Sequence, residues 1–302
     1  MIDKAISTAA LCALTACATT QSGSPLPARF EYSDVARFYA IYDAAGGHPD
    51  SARLQKEYID TGSPGLHDFI PNRIISGKRL ARIVAQNPAI YADARKCSQS
   101  LPKVRPAFER DMRKFLRIYP EATIPNLTMV IGANNSGGTA TDAGVIIGVE
   151  VVCRANAPSP LRLDHRLRHL IAHEIAHASQ RNQKYETVLD DAMREGVAEL
   201  VAELISGEVS NDHLKLWTRG KEAQIEREFS AQMLSTDPDV KKRWLYSGVG
   251  TPDKPGDLSY WVGYRIARAY YDRATDKHAA LRRLLTDADN ETIVRESGWA
   301  IR

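Results

Sequence analysis

The sequence predicts an α+β fold, mainly helical, with a small mixed β-sheet beside one central helix. Three features predict it. Apolar residues recur at helical spacing through the first third of the chain, two short β-branched runs follow between Leu127 and Val149, and helical spacing returns from Asp164 onward. With 43% hydrophobic and 25% charged residues over 302 positions, the chain can bury a sizeable core and is neither disordered nor fibrous.

In chain order, Ser33 is placed to cap a helix carrying Val35, Phe38, Tyr39 and Tyr42. A longer amphipathic segment runs from Val104 to Tyr119 through Phe108, Met112, Phe115 and Leu116. These read as packing helices. The runs Leu127–Ile131 and Val145–Val149 read as two strands around a loop of Asn, Ser, Gly and Thr, and a Pro-containing connector, Asn156–Pro160, follows. Asp164 is a suitable N-cap for a helix extending to about Ser179, and a Gly/Pro-rich loop is expected over 247–257. The net charge of +3 is dispersed along the chain, which excludes a nucleic-acid footprint.

The first residues differ in texture. Lys4 precedes an uncharged, mostly small and apolar run from Ala5 to Ala16, too short for a mature membrane span and suited to the apolar part of a secretory leader. The residues Leu14-Thr15-Ala16-Cys17 resemble the lipobox of bacterial lipoproteins. That resemblance implies removal of 1–16, lipidation of Cys17, a tether over 17–30 and a place at the periplasmic side of the outer membrane, held through an N-terminal lipid anchor. Cys97 and Cys153 would then share an oxidising compartment, either as a disulfide or as two separate buried thiols.

The chemistry concentrates in His173-Glu174-Ile175-Ala176-His177. Residues four apart share a helical face, so both imidazoles can reach one point in space, and Glu174 is placed to take a proton from a metal-bound water. A five-residue match of this kind arises by accident in roughly one chain of this size in a hundred. His165 and His169 repeat the spacing without a following glutamate and read as surface residues or as supports for the ligands. A zinc ion needs a third protein ligand. After the intervening residues 178–194 comes Glu195-Gly196-Val197-Ala198-Glu199, on a second helix that can return antiparallel beside the first. Glu195, Glu199, or Asp190 with Asp191 could complete the set.

The pairing of H-E-I-A-H with E-G-V-A at this distance resembles the gluzincin arrangement (HExxH…EGxA, peptidase MA-like) of aminopeptidase-N-type zinc metallopeptidases and of related bacterial families. The resemblance covers Asp164 to Glu203, and more weakly Ser259 to Tyr271. It implies a zincin-like region over 121–302 behind a helical region over 31–120, one Zn2+ on His173, His177 and Glu195, Glu174 as catalytic base, and a peptide or protein substrate. Glu199 would then bond a ligand histidine, and Tyr260 of Tyr260-Trp261-Val262-Gly263 would stabilise the transition state. Arg194 departs from the asparagine common in those aminopeptidases, and their G-x-M-E-N element has no counterpart. Two other readings stand beside the peptidase: a zinc hydrolase of non-peptide amides or esters, and a non-catalytic envelope lipoprotein that binds partners. Oligomeric state is not legible from the sequence.

Overall fold

The computed structural model describes residues 28–154, 163–207, 212–245, 250–251, 254–287 and 289–299. The expected leader 1–16, Cys17, most of the tether, the connector Asn156–Pro160 and part of the 247–257 loop lie outside the described residues.

The predicted class is the observed one: helices throughout and one small mixed sheet. Its strands are β1 (Phe30–Glu31), β2 (Leu127–Val130), β3 (Gly138–Thr141) and β4 (Gly144–Gly148), in the order β1-β2-β4-β3. β1, β2 and β4 run parallel, with Leu127 opposite Val145 and Met129 opposite Ile147, whereas β3 folds back antiparallel on β4. Every residue of β2 and β4 is buried. Helices from the N-terminal third contact these strands, and the helix Leu163–Ser179, here the histidine helix, lies against β3 and β4. Parallel strands enclosed in this way need mostly apolar side chains on both faces, hence Val-Ile-Ile in β4 and Leu127, Met129 and Val130 in β2, where Thr128 is the one polar residue.

The run from Gly144 is interior to the sheet, because β3 lies outside it. β3 occupies part of the segment read as loop: Gly-Thr-Ala-Thr carries little apolar signal, and its strand conformation comes from pairing with β4. At the N-terminus, the first helix begins at Ser33 with Tyr32 as its cap residue, and the Ser33 backbone N–H donates to the Glu31 carboxylate at 2.7 Å. The histidine helix likewise starts at Leu163, which puts Asp164 in its first turn rather than ahead of it.

The loop from β2 to β3 is fixed by buried polar groups. The Tyr58 hydroxyl donates to the Ile131 carbonyl at 2.8 Å and accepts from the Ile131 N–H at 2.9 Å, and the Tyr91 hydroxyl donates to the Gly132 carbonyl. Glu150, wholly buried, accepts from the backbone N–H groups of Gly132 and Asn134 at 2.8 and 3.0 Å. Burial pushes the Glu150 carboxyl up in pKa against the pull of those donors. Cys97 and Cys153 are joined, with Cα atoms 5.9 Å apart, so the disulfide alternative is the one realised. Closing a loop of 56 residues restricts the unfolded chain by an amount of order 4 kcal/mol.

The helix Val188–Ser206, here the carboxylate helix, packs against the histidine helix on one side and against the helix Leu258–Arg273, here the tyrosine helix, on the other. Thr187 starts it with a reciprocal cap: its hydroxyl accepts from the Asp190 N–H, and the Asp190 carboxylate accepts from the Thr187 N–H. The crossing with the tyrosine helix is built on glycine. A Cβ on Gly196 would lie 2.0 Å from the Gly263 carbonyl carbon, and one on Gly263 would lie 1.8 Å from the Ala192 oxygen.

Candidate metal centre

His173 and His177 stand one turn apart on the histidine helix, and Glu195 faces them from the carboxylate helix. The two Nε2 atoms are 3.0 Å apart, and Glu195 Oε2 lies 3.3 Å from each. Three donors about 2.0–2.1 Å from a tetrahedral ion stand roughly 3.3 Å from one another, so the triangle has the size a zinc ion requires. Glu195 Oε2 is buried and makes no hydrogen bond of its own. A buried carboxylate oxygen without a donor is costly unless a cation meets it, and it points where both imidazoles point. Two imidazoles and one carboxylate form the donor set of a zinc site with one position left for water.

Glu199 does not join this triangle. Its Oε1 lies 3.0 Å from Nδ1 of His173, on the far side of that ring, and its Oε2 lies 3.0 Å from Nε2 of His169. The cluster His169, His173 and Glu199 could also be read as a metal site. Its carboxylate, however, offers a different oxygen to each imidazole, Oε2 in a hydrogen bond to His169 and Oε1 in an ion-pair contact with His173, rather than one oxygen to both. A carboxylate behind the ligating imidazole fixes its orientation and its tautomer. Asp190 is engaged in the helix cap and with the Asn290 amide, and Asp191 pairs with Lys241.

The ionisable groups of the triangle shift one another strongly. Burial alone would lower the pKa of His173, but Glu195 and Glu199 on opposite sides of the ring outweigh it and hold the imidazole well above its ordinary value. Burial would raise both carboxyls. His173 and His177 reverse this at Glu195, which is held well below the carboxylate range, and His169 is the main counterweight at Glu199, also held low. Both carboxylates are thus held ionised at neutral pH, as a metal ligand or its support must be, while the same two carboxylates favour a proton on His173 that an incoming ion has to displace.

Glu174 is 8% exposed and makes no hydrogen bond to any described residue; burial pushes its carboxyl up in pKa. Its side chain presses on β3, where a Cβ on Gly138 would fall 2.6 Å from Oε1. Glycine at 138 therefore lets the edge strand approach the glutamate. Tyr260 stacks on His173, with centroids 6.1 Å apart and planes within 18°. The five residues His173, Glu174, His177, Glu195 and Tyr260 are brought together, while Cys17 lies outside the described residues.

Sequence reasoning missed two supports. The Gln180 side-chain oxygen accepts from His177 Nδ1 at 2.8 Å, and its amide donates to the Arg194 carbonyl at 2.7 Å. The Arg194 guanidinium donates to Glu195 Oε1 and sits 5.6 Å from the Tyr185 ring. Arg194 was visible only as a departure from the aminopeptidase pattern, and Gln180, three residues past His177, carries no motif signal at all.

A protein-family model described as gliding motility protein GldB matches residues 32–300. No curated protein and no solved structure matches the chain significantly. The family match overturns the gluzincin assignment and, with it, the zinc-dependent peptidase function expected from H-E-I-A-H and E-G-V-A: the matched family is one of gliding motility lipoproteins, not of zinc metallopeptidases. Five matching residues on one helix and four on the next specify a local geometry, which a family with another role can also contain. Association with the cell envelope accords with a lipoprotein family, and no described helix is long and apolar enough to cross a membrane.

Proposed function

Because the chain belongs to the GldB family of gliding motility lipoproteins, we propose that it is a metal-carrying binding module of the cell envelope that serves motility. It is held by lipid on Cys17 at the periplasmic side of the outer membrane, and one Zn2+ on His173, His177 and Glu195 ties the histidine helix to the carboxylate helix. The observation that carries the metal is the buried, donor-less Oε2 of Glu195 aimed at two imidazole nitrogens. The binding surface is the outer edge of β3, which pairs with no other strand among the described residues. An extended polypeptide partner can add there as a further strand. Elemental analysis of the purified protein tests the metal: about one zinc per chain is expected in the wild type and a large loss in His177→Ala. Equal metal in both, or none in either, refutes it.

A second reading is favoured by Glu174, whose carboxyl is kept unpaired beside the two ligand imidazoles. Zinc, when bound, lowers the pKa of its water toward about 7 and polarises a carbonyl. Glu174 can then accept a proton, which would make the centre a hydrolase of non-peptide amides or esters. Turnover on a panel of such compounds, lost by at least about 100-fold in Glu174→Gln with zinc retained, is the expected result. Equal rates in the two proteins exclude the reading.

A further inference from the structure

We propose that Arg194 and Gln180 form a clamp that limits Glu195 to one-oxygen ligation and so keeps a coordination position of the metal open. The inference rests on the metal reading above and goes beyond it, because it concerns how the ligands are held rather than which residues they are.

Glu195 has two oxygens with different surroundings. Oε1 accepts from the Arg194 guanidinium, whereas Oε2 is buried and faces the two Nε2 atoms. A carboxylate that can turn both oxygens to an ion tends to chelate it and fill two positions. A charge-assisted hydrogen bond to one oxygen opposes this, since turning that oxygen to the ion would weaken its bond to the guanidinium. Arg194 is also shielded: its side chain is 26% exposed and Glu195 3%, so water screens the pair weakly.

Gln180 completes the clamp, and its orientation is fixed by its neighbours. A backbone carbonyl can only accept, so the Gln180 group facing the Arg194 oxygen must be the NH2. The amide oxygen therefore faces His177 and accepts from Nδ1–H, which leaves the Nε2 lone pair for the metal. One residue thus sets the tautomer of His177 and grips the backbone of the residue that restrains Glu195. His177 and Glu195 are thus both governed by one link between their helices.

Arg194 is a positioning residue in this account, and its test reads coordination rather than activity. The purified full-length protein and the folded variants Arg194→Met and Arg194→Gln, each checked by circular dichroism, are titrated with Co2+ and separately with Zn2+. For the wild type, one Co2+ per chain with the intense visible bands of a four-coordinate ion is expected. Both variants should still take up Co2+, but with the weaker bands of a higher coordination number, and should bind Zn2+ some 10–100-fold less tightly. Either folded variant decides the matter if the other fails to fold. Bands and zinc affinity equal to those of the wild type in a folded variant overturn the clamp while leaving the metal reading intact. A wild type that takes up no Co2+ and no Zn2+ overturns the metal reading, and the clamp with it.

Discussion

Gly196→Ala is expected to destabilise the fold severely. The added methyl would meet the Gly263 carbonyl carbon at 2.0 Å and the Tyr264 nitrogen at 2.2 Å, both backbone atoms that no rotamer change can move aside. The carboxylate and tyrosine helices would have to separate along their crossing, where Ala192 and Gly196 meet Gly263 and Tyr264. Overpacking into side chains costs about 1–3 kcal/mol; against backbone on both sides we expect ~4 kcal/mol or more, a large part of the roughly 5–15 kcal/mol that holds a domain together. The measurement is the denaturant midpoint, with loss of near-ultraviolet dichroism at zero denaturant as the extreme outcome. A midpoint equal to that of the wild type would show that the crossing is not as close as described. The same contact gives a structural reason for the glycines of E-G-V-A and Y-W-V-G: they let two helices touch, and so seat Glu195 and Tyr260 around His173 without either glycine contacting a ligand.

The second large effect separates two glutamates that lie one turn apart. Glu195→Ala should remove nearly all bound zinc, since two imidazoles alone leave the ion half-ligated. Glu199→Ala should leave a measurable site weakened by some 10–100-fold, because the carboxylate orients His173 without touching the metal. Its cost falls instead on stability. Removing Glu199 strands His169 and His173 in the core beside a vanished charge, and breaking a buried pair of this type costs about 3–5 kcal/mol. Competition for zinc against a chelator, together with the unfolding midpoint, distinguishes the two variants. The reverse order of zinc loss would exchange their roles.

Much of the scaffold was legible in the sequence because it follows from local pattern. The four-residue spacing of His173 and His177 pointed to a helix, and the β-branched runs at 127 and 145 pointed to strands, which the fold then buries on both faces. β3 was not legible, since Gly138–Thr141 has no alternation strong enough to stand out and becomes a strand only once β4 is beside it. Glu150 carries no motif signal, and its role comes from the two backbone N–H groups that the fold places against it. Gln180 and Arg194 were illegible for a related reason: their partners are a ring nitrogen, a carbonyl and a carboxylate oxygen, fixed by how two helices meet rather than by spacing along the chain. Function was the hardest to read. A motif records which atoms can converge, whereas the match over residues 32–300 records what kind of protein surrounds them, and the two pointed to different roles.

X-ray absorption at the zinc edge, on the purified full-length protein, tests the central claim most directly. The expected result is a first shell of light atoms near 2.0–2.1 Å, with the outer scattering of two imidazole rings and no sulfur. An outer shell without imidazole, or a shell identical in His173→Ala and wild type, would contradict it.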